Sequence, residues 1–509
     1  MLGVACAVPP PPPSPGVLAP RPPPPVVVTL LYTTDEHGWL EPWTDGAHTR
    51  GGAANLLAMW VAEERHCPRA HLVPPQDRIG LESPPGCVDP GTILLSGGDT
   101  FTGPAISSYF AGVPMVEIMA RMGYVASAFG NHEFDFGRER FVENRALGGY
   151  PYLAANVRVD ESLKGPMSLP SHILVERRGV KIGVVGLATS TTPETAKASA
   201  FKGMVFDPEE PALERAIPAA WEAGADAVVV IAHACPDVLE PMLRRHPEWN
   251  LSFMGGGHCH RRISTTVNGV PLIAPGWRLE GYARVRLTVD KSRPQRARVT
   301  SVEPEIIEVK RPEGAAPRYP PDAEITRAAA GWREKMDAAL GEQLGYSASG
   351  MAHKSPAIGR WITETWRARL GADVAIGNTD AFRQAVPRGP ITLSTLYSLM
   401  PFHNHLLVCS MTGEELLMNL RNPQAVAAGV TRTGKDGFVD AAGKPIESGK
   451  TYSVVTIDFL YFGGEGFTFH KVDPSPENAE LDWRVPVIEW LKKNPTSQST
   501  PLEQVLAAK

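Results

Sequence analysis

Gly130-Asn131-His132-Glu133-Phe134-Asp135 brings a neutral oxygen ligand, an imidazole and a carboxylate into one tight turn, the side-chain set of a catalytic metal site. Its weight comes from where similar sets fall. Asp35-Glu36-His37-Gly38 follows the apolar run Val26 to Leu31, Gly97-Gly98-Asp99 follows Thr92-Ile93-Leu94-Leu95, and His233 follows Ala227-Val228-Val229-Val230-Ile231. Gly255-Gly256-Gly257-His258-Cys259-His260 follows Leu251-Ser252-Phe253. Apolar segments that end in polar loops read as strands of a buried sheet, which lines the polar side chains along one sheet edge, where binding sites lie. Asp, Asn and His without thiolates are the mix expected for two divalent ions that activate water and hold a phosphoryl oxygen. Each piece alone has a plainer role: Gly-Gly-Asp is an ordinary turn, and Asn131 is a good helix N-cap. The recurrence in order is what points to chemistry.

At 509 residues the chain exceeds one ordinary core, so two domains are expected. With 43% hydrophobic residues and a net charge of -5 it has the composition of a soluble globular protein. That mild acidity gives no support for nucleic-acid or membrane-surface binding. No segment is long enough to span a bilayer.

Residues 1–25 contain Pro9 to Pro13 and Pro22 to Pro25 and read as an extended, solvated arm. Ahead of the prolines, Leu2-Gly3-Val4-Ala5-Cys6 resembles the end of a bacterial lipoprotein signal, although it lacks a basic start and a full apolar run. Either translation begins upstream of Met1 and Cys6 is the lipidated residue, or Cys6 is incidental. A lipid anchor at Cys6 is the one membrane association expected. Cys67 and Cys87 flank a Pro-rich insertion, Pro68 to Pro85, and suit a loop-closing disulfide in an oxidising compartment. Cys235 and Cys259, beside the histidines, are expected to be buried small residues rather than ligands.

From Val26 to Val309, strands alternate with helical stretches at Gly52 to Glu64, Pro114 to Met122 and Pro211 to Ala223, an α/β pattern with mixed sheets. Tyr282 to Val289 alternates apolar and polar residues and reads as an edge or half-exposed strand. Residues 310–343 form a boundary: Lys310 to Asp322 is charged and Pro-rich, and Ala323 to Leu340 is a helix-forming connector. Residues 344–509 form the second domain, with a helix over Ile358 to Leu370 and strands at Val374 to Ile376, Leu406 to Cys409 and Tyr452 to Thr456.

Taken together, Thr33 to Gly38, Gly97 to Asp99, Gly130 to Asp135, His233 and Gly257 to His260 resemble the calcineurin-like metallophosphoesterase core of the 5'-nucleotidase family. Asn378 to Arg383, Pro401-Phe402-His403-Asn404, Thr412-Gly413 and Gly463 to Phe467 resemble the nucleotide-binding C-terminal domain of those enzymes. The resemblance implies a four-layer α/β/β/α sandwich over residues 26–309, joined by a helix to a second α/β substrate-binding domain that rotates to deliver the nucleotide. It implies one ion held by Asp35, His37, Asp99 and His260, and another by Asp99, Asn131, His233 and His258, with Asp99 bridging. The ions would be Mn, Zn, Fe or Co, since this ligand chemistry accepts all four. His132 would contact the phosphoryl oxygens or assist the leaving group, oriented by Asp135. Phe402 and Phe459 match the two rings that sandwich the base, Asn378 and Arg383 match phosphate- or sugar-contacting positions, and Glu465 stands where an Asp usually accepts from the ribose hydroxyls.

Two departures stand out. Upstream of Gly359, where relatives place an arginine facing the phosphate, this chain has Ala352-His353-Lys354, which leaves Lys354 or Arg360 to compensate. His403 falls where relatives tend to carry a small residue. The expected function is hydrolysis of nucleoside 5'-monophosphates, with UDP-sugars or 2',3'-cyclic nucleotides as further substrates, by a secreted or envelope-anchored, periplasmic enzyme. The alternatives are a thiosulfohydrolase acting on a carrier-bound sulfur substrate and a non-catalytic surface nucleotide-binding protein. Oligomeric state is not legible in the sequence.

Overall fold

A computed structural model describes residues 24–68, 91–163, 165, 167–434 and 437–508. The leader up to residue 23, with Cys6, and the insertion with Cys87 lie outside the described residues.

Alternation along the strands builds the first domain. On Val26–Thr33, Val28, Leu30 and Tyr32 enter one apolar cluster while Leu31 enters another. On Ala227–His233, Val229 and Ile231 join the first of these, and Val228 and Val230 point the opposite way into a third. Successive side chains leave a strand on opposite faces, so a strand apolar at every position must be covered on both. Two six-stranded sheets meet that requirement by stacking. The first runs in the order Val299–Glu308, Gly281–Val289, Val26–Thr33, Thr92–Ser96, Tyr124–Ala128, Tyr152–Leu153. The second runs Arg262–Val267, Val270–Pro275, Phe253–Gly255, Ala227–His233, Val180–Ala188, His172–Arg177.

Helices Ala53–Glu64 and Val113–Met122 cover the outside of the first sheet through Leu56, Trp60, Met115 and Met119. Helices Glu209–Glu222 and Pro236–Arg245 cover the second through Leu213, Ile217, Leu239 and Leu243. The result is the four-layer α/β/β/α sandwich. Both sheets are mixed: Val26–Thr33 pairs parallel with Thr92–Ser96 and antiparallel with Gly281–Val289. Of the two readings its alternation allowed, an edge or a half-exposed strand, that last strand is the second. Val299–Glu308 pairs along its other side, and its half-exposed positions Arg284, Arg286 and Thr288 owe their exposure to lying on the less covered face.

The connector forms as one helix, Ala323–Leu340, whose N-cap Asp322 accepts from the amides of Glu324 and Ile325 at 3.0 and 2.9 Å. Ile325, Met336 and Leu340 pack into the helical layer over the first sheet.

A separate apolar cluster holds Trp366, Ile376, Phe382, Leu406, Val455 and Trp483. It surrounds a five-stranded sheet in the order Ala425–Ala428, Val374–Asn378, Thr451–Ile457, His405–Thr412, Glu477–Asp482. Helix Pro356–Leu370 packs on that sheet, opened by Ser355 and Pro356 and closed by Gly371 at φ 67°. Several of these strands end toward the first domain, and their loops form the facing wall of the site.

Candidate metal centre and adjoining cleft

Each sequence-derived cluster leaves the end of its strand and turns inward. Two groups result, Asp35 with His37 and His260, and Asp99 with His233 and His258, each with its ligand atoms within 4.8 Å of one another. Asp99 Oδ2 lies 3.1 Å from His233 Nε2 and 3.7 Å from His37 Nε2, so one carboxylate oxygen stands between the groups. Asn131 Oδ1 completes the second group, 3.1 Å from His233 Nε2.

The histidines are held by their far nitrogens. His37 Nδ1 lies 2.9 Å from the Thr102 carbonyl and His233 Nδ1 2.9 Å from the Gly97 carbonyl. A carbonyl can only accept, so both Nδ1 atoms donate, and both Nε2 lone pairs face the centre in the tautomer a metal ligand needs. The Asn131 amide donates to the Thr195 carbonyl at 3.3 Å, which turns its oxygen inward. Asp35 accepts from the His258 amide at 3.1 Å and from Thr34 Oγ1 at 2.8 Å. These donor sets fit two divalent cations.

Backbone strain concentrates here. Asp35, His37, Asp99, His258 and His260 all have left-handed φ, between 46° and 69°. Such conformations persist where the surrounding structure fixes them, and they cluster at functional sites. Gly130 opens the decisive turn for a related reason: a Cβ there would collide with Asp99 Oδ1 and the Asp99 amide.

The electrostatics follow from burial. Asp35 is wholly buried, and desolvation raises its carboxyl above the ordinary value. Burial also works against the Asp99 carboxylate, but His233, His132 and His37 outweigh it and hold it well below the usual range. His132 is buried too, yet the carboxylates of Asp135 and Asp99 overcome the desolvation and hold its imidazole above the ordinary value. Its Nδ1 lies 2.8 Å from Asp135 Oδ2, and its amide donates to Asp99 Oδ1 at 2.9 Å.

The second domain closes over this centre. Arg383 Nη2 reaches to 3.3 Å from His37 Nε2, and the Phe402 ring stacks on His132 with centroids 5.5 Å apart. One cavity is lined by His132, Asp135, Asn378, Arg383, Phe402, Phe459 and Glu465 together. A second, of about 330 Å³, runs alongside from Asp99, Asn131, His258 and His260 to Lys354, Arg383 and Glu465. Thus all five residues expected on the substrate side line the cavity beside His132 and Asp135, and Arg383 and Glu465 also line the one reaching Asp99, His258 and His260. Asn378 is 2% exposed, and its Oδ1 has no hydrogen-bond partner among the described residues, which marks it as an acceptor aimed at the cavity. Lys354 lines the cleft in an ion pair with Asp380. Arg360 does not; it lines a different groove, with Leu420 and Phe438.

Two contributors have roles that the sequence did not assign. Glu133, inside the decisive turn, accepts from the Thr100 amide at 3.0 Å beneath Asp99. Trp277 stacks on His260 at 4.3 Å, and nothing in Pro275-Gly276-Trp277-Arg278 identifies it. The cysteine reading requires correction: Cys235 and Cys259 are joined in a disulfide, with Cα atoms 5.4 Å apart, that ties the loop after His233 to the loop of His258 and His260. Strand ends adjacent in one sheet bring the two thiols together across 24 residues. Cys67 is also disulfide-bonded; Cys87, the partner suggested by sequence, lies outside the described residues.

A four-layer α/β/β/α domain carrying two candidate ligand groups is thus joined to a second α/β domain that closes over them. Residues 340–471 match the family model of the 5'-nucleotidase C-terminal domain. The chain is similar to several proteins named 5'-nucleotidase. It is 25% identical over 451 residues to a 5'-nucleotidase of Vibrio cholerae, covering 77% of this chain and 80% of that one. It is 24% identical over 409 residues to the endonuclease YhcR of Bacillus subtilis; the match covers 72% of this chain but only 33% of that relative's length. A 5'-nucleotidase precursor from Thermus thermophilus shares the fold, with a TM-score of 0.75 at 20% identity over 93% of this chain and 97% of that one.

Proposed function

We propose that this protein is a dinuclear metal-dependent phosphohydrolase that cleaves nucleoside 5'-monophosphates to nucleoside and phosphate, with UDP-sugars or 2',3'-cyclic nucleotides as further substrates. One observation carries the reading: two ligand groups with Asp99 standing between their histidines open into a cleft whose far wall presents Arg383, Asn378 and two phenylalanines. The relatives named 5'-nucleotidase support it.

Asp35, His37 and His260 would hold one ion and Asn131, His233 and His258 the other, with Asp99 shared. Such ions supply Lewis acidity, stabilising charge at a phosphoryl oxygen and activating a water nucleophile. The chain's own groups do the rest. Arg383 grips phosphoryl oxygens with a planar fork. His132, with Nδ1 engaged by Asp135, presents Nε2 to the phosphoryl or leaving oxygen, and its raised basicity keeps a proton available for the departing alkoxide. Phe402 and Phe459 stack on the base, and Glu465 accepts from the ribose hydroxyls. Lys354, paired with Asp380, stands on the cleft wall where relatives place an arginine.

The base-stacking walls argue against a carrier-bound sulfur substrate, which needs no aromatic sandwich. Disulfide-bonded Cys235 and Cys259 support an oxidising, extracytoplasmic location. The test is a kinetic panel with manganese or zinc supplied: AMP, UMP, a UDP-sugar, a 2',3'-cyclic nucleotide and p-nitrophenyl phosphate. A preference of at least tenfold in kcat/KM for a nucleoside monophosphate over p-nitrophenyl phosphate is expected. Equal turnover would leave a phosphatase without nucleotide selectivity, and no turnover of any ester would overturn the reading.

A further inference from the structure

Arg278 is a buried cation that the mechanism above does not use. It is 7% exposed and its Nε has no hydrogen-bond partner among the described residues. Three indoles surround the guanidinium: its central carbon lies 3.5 Å from the ring centroid of Trp277, 4.6 Å from that of Trp39 and 5.5 Å from that of Trp43. Such cation–π contacts substitute for an ion pair in a desolvated setting, and a planar guanidinium suits stacked rings far better than an ammonium. Burial and the Arg383 charge both press it below its ordinary value, yet a guanidinium stays charged at neutral pH.

What the residue touches gives it meaning. Its backbone amide donates to the carbonyl of Asp35 at 2.9 Å. Trp277, against which it stacks, lies flat on the ring of His260 at 4.3 Å. Its Nη2 donates across the domain boundary to the carbonyl of Arg383 at 3.1 Å. Arg278 and Leu279 both hold left-handed φ, at 55° and 54°, so the chain accepts backbone strain to place this side chain. One residue therefore contacts the peptide of one candidate ligand, supports the ring of a second, and holds the backbone of the substrate-side arginine.

We propose that Arg278 is a positioning residue that keeps Arg383 in register with the Asp35, His37 and His260 group, so that grip and metal centre meet the same phosphoryl group. The inference deepens the phosphohydrolase reading and rests on it for its catalytic consequence. The mechanical tie itself is independent of substrate.

Two measurements test it on the full chain. The first is hydrogen–deuterium exchange, with no substrate and no turnover required. Arg278→Lys keeps charge and length but loses the fork, and is expected to speed exchange in the segment around residues 379–384 by about tenfold while the sheets of the first domain stay protected. Unchanged exchange in that segment overturns the tie, whatever the enzyme proves to hydrolyse. The second is a double-mutant cycle read as kcat/KM on the best substrate of the panel. Arg278→Lys and Arg278→Ala should each lower it by about 10- to 100-fold, the range for residues that orient active groups. In an Arg383→Ala background the same changes should cost less than about threefold, because the residue through which they act is gone. Full additivity, or wild-type kinetics in Arg278→Lys, would overturn the proposal. Absence of turnover in wild type refutes the phosphohydrolase reading instead and leaves the exchange result to decide the tie. Should Arg278→Ala fail to fold, Arg278→Lys carries both measurements.

Discussion

His132 Nδ1 lies 2.8 Å from Asp135 Oδ2, three residues on, a contact that fixes the ring at the wall of the cleft. Removing the Asp135 charge while keeping its shape should lower kcat more than it changes KM, because the imidazole loses both its orientation and the carboxylate that holds its proton. For Asp135→Asn we expect a fall in kcat of about 10- to 100-fold, and for His132→Ala one of about 10²- to 10³-fold. Steady-state kinetics with saturating manganese check this. An unchanged kcat in both variants would remove the pair from the chemistry.

Asp99 stands between the two ligand groups, so its loss should affect both. Asp99→Asn is expected to retain less than half the wild-type metal content after desalting, measured by elemental analysis, and to lose activity by at least about 10²-fold. A variant that keeps the wild-type metal content would show that no carboxylate is shared.

If bases stack between Phe402 and Phe459, truncating either ring should penalise nucleotides alone. Phe459→Ala should raise KM for the best nucleoside monophosphate by about tenfold, following roughly 1–3 kcal/mol per stacked base, and leave KM for p-nitrophenyl phosphate within twofold. Equal effects on both substrates would assign the ring to packing.

Opening the Cys235–Cys259 disulfide frees a loop of 24 residues in the unfolded chain, worth about 3 kcal/mol of stability on loop-entropy grounds. The Cys235→Ser, Cys259→Ser double variant should therefore melt lower by several degrees in metal-free buffer. It should also bind manganese more weakly, since both loops it joins carry ligands. Calorimetric titration and a thermal scan measure the two effects separately, and an unaltered isotherm would confine the disulfide to stability.

His66, away from the centre, makes stability depend on pH. It is 2% exposed, with Nε2 2.7 Å from the Met122 carbonyl and Nδ1 2.9 Å from Thr92 Oγ1. Burial holds its imidazole down to about 4 from an ordinary 6.5. Between those values the unfolded chain takes up a proton that the folded chain refuses. The contribution is therefore complete above pH 6.5 and is lost as pH falls toward 4, by up to about 3 kcal/mol. Comparing thermal midpoints of wild type and His66→Gln at pH 7.5 and 5 isolates it: the wild-type advantage should shrink at the lower pH.

The fold and the residue types of the site were legible because both obey short-range rules. Apolar runs set strands, and polar clusters after them set a sheet edge, which is why Asp35, Asp99, Asn131, His233 and His258 could be named before their distances were known. What escaped depends on contacts between elements far apart in sequence. The alternation of Gly281–Val289 fits an edge or a half-exposed strand, and only its pairing with Val299–Glu308 decides for the second. Cys235 and Cys259 look like filler because each neighbours a histidine, and only the parallel pairing of Ala227–His233 with Phe253–Gly255 brings their loops together. Trp277 and Arg278 carry no motif at all, since their role lies in what stacks on them.

The spread of the ligands along the chain has a consequence for how the protein matures. His37 and His260 are 223 residues apart and meet with Nε2 atoms 3.0 Å from each other, and each group draws on both sheets. No early segment of the chain can form either group, so a growing polypeptide has no assembled centre until residue 260 has emerged and the second sheet has docked on the first. Metal uptake should therefore be a late event in biogenesis, one that reads out completion of the whole first domain.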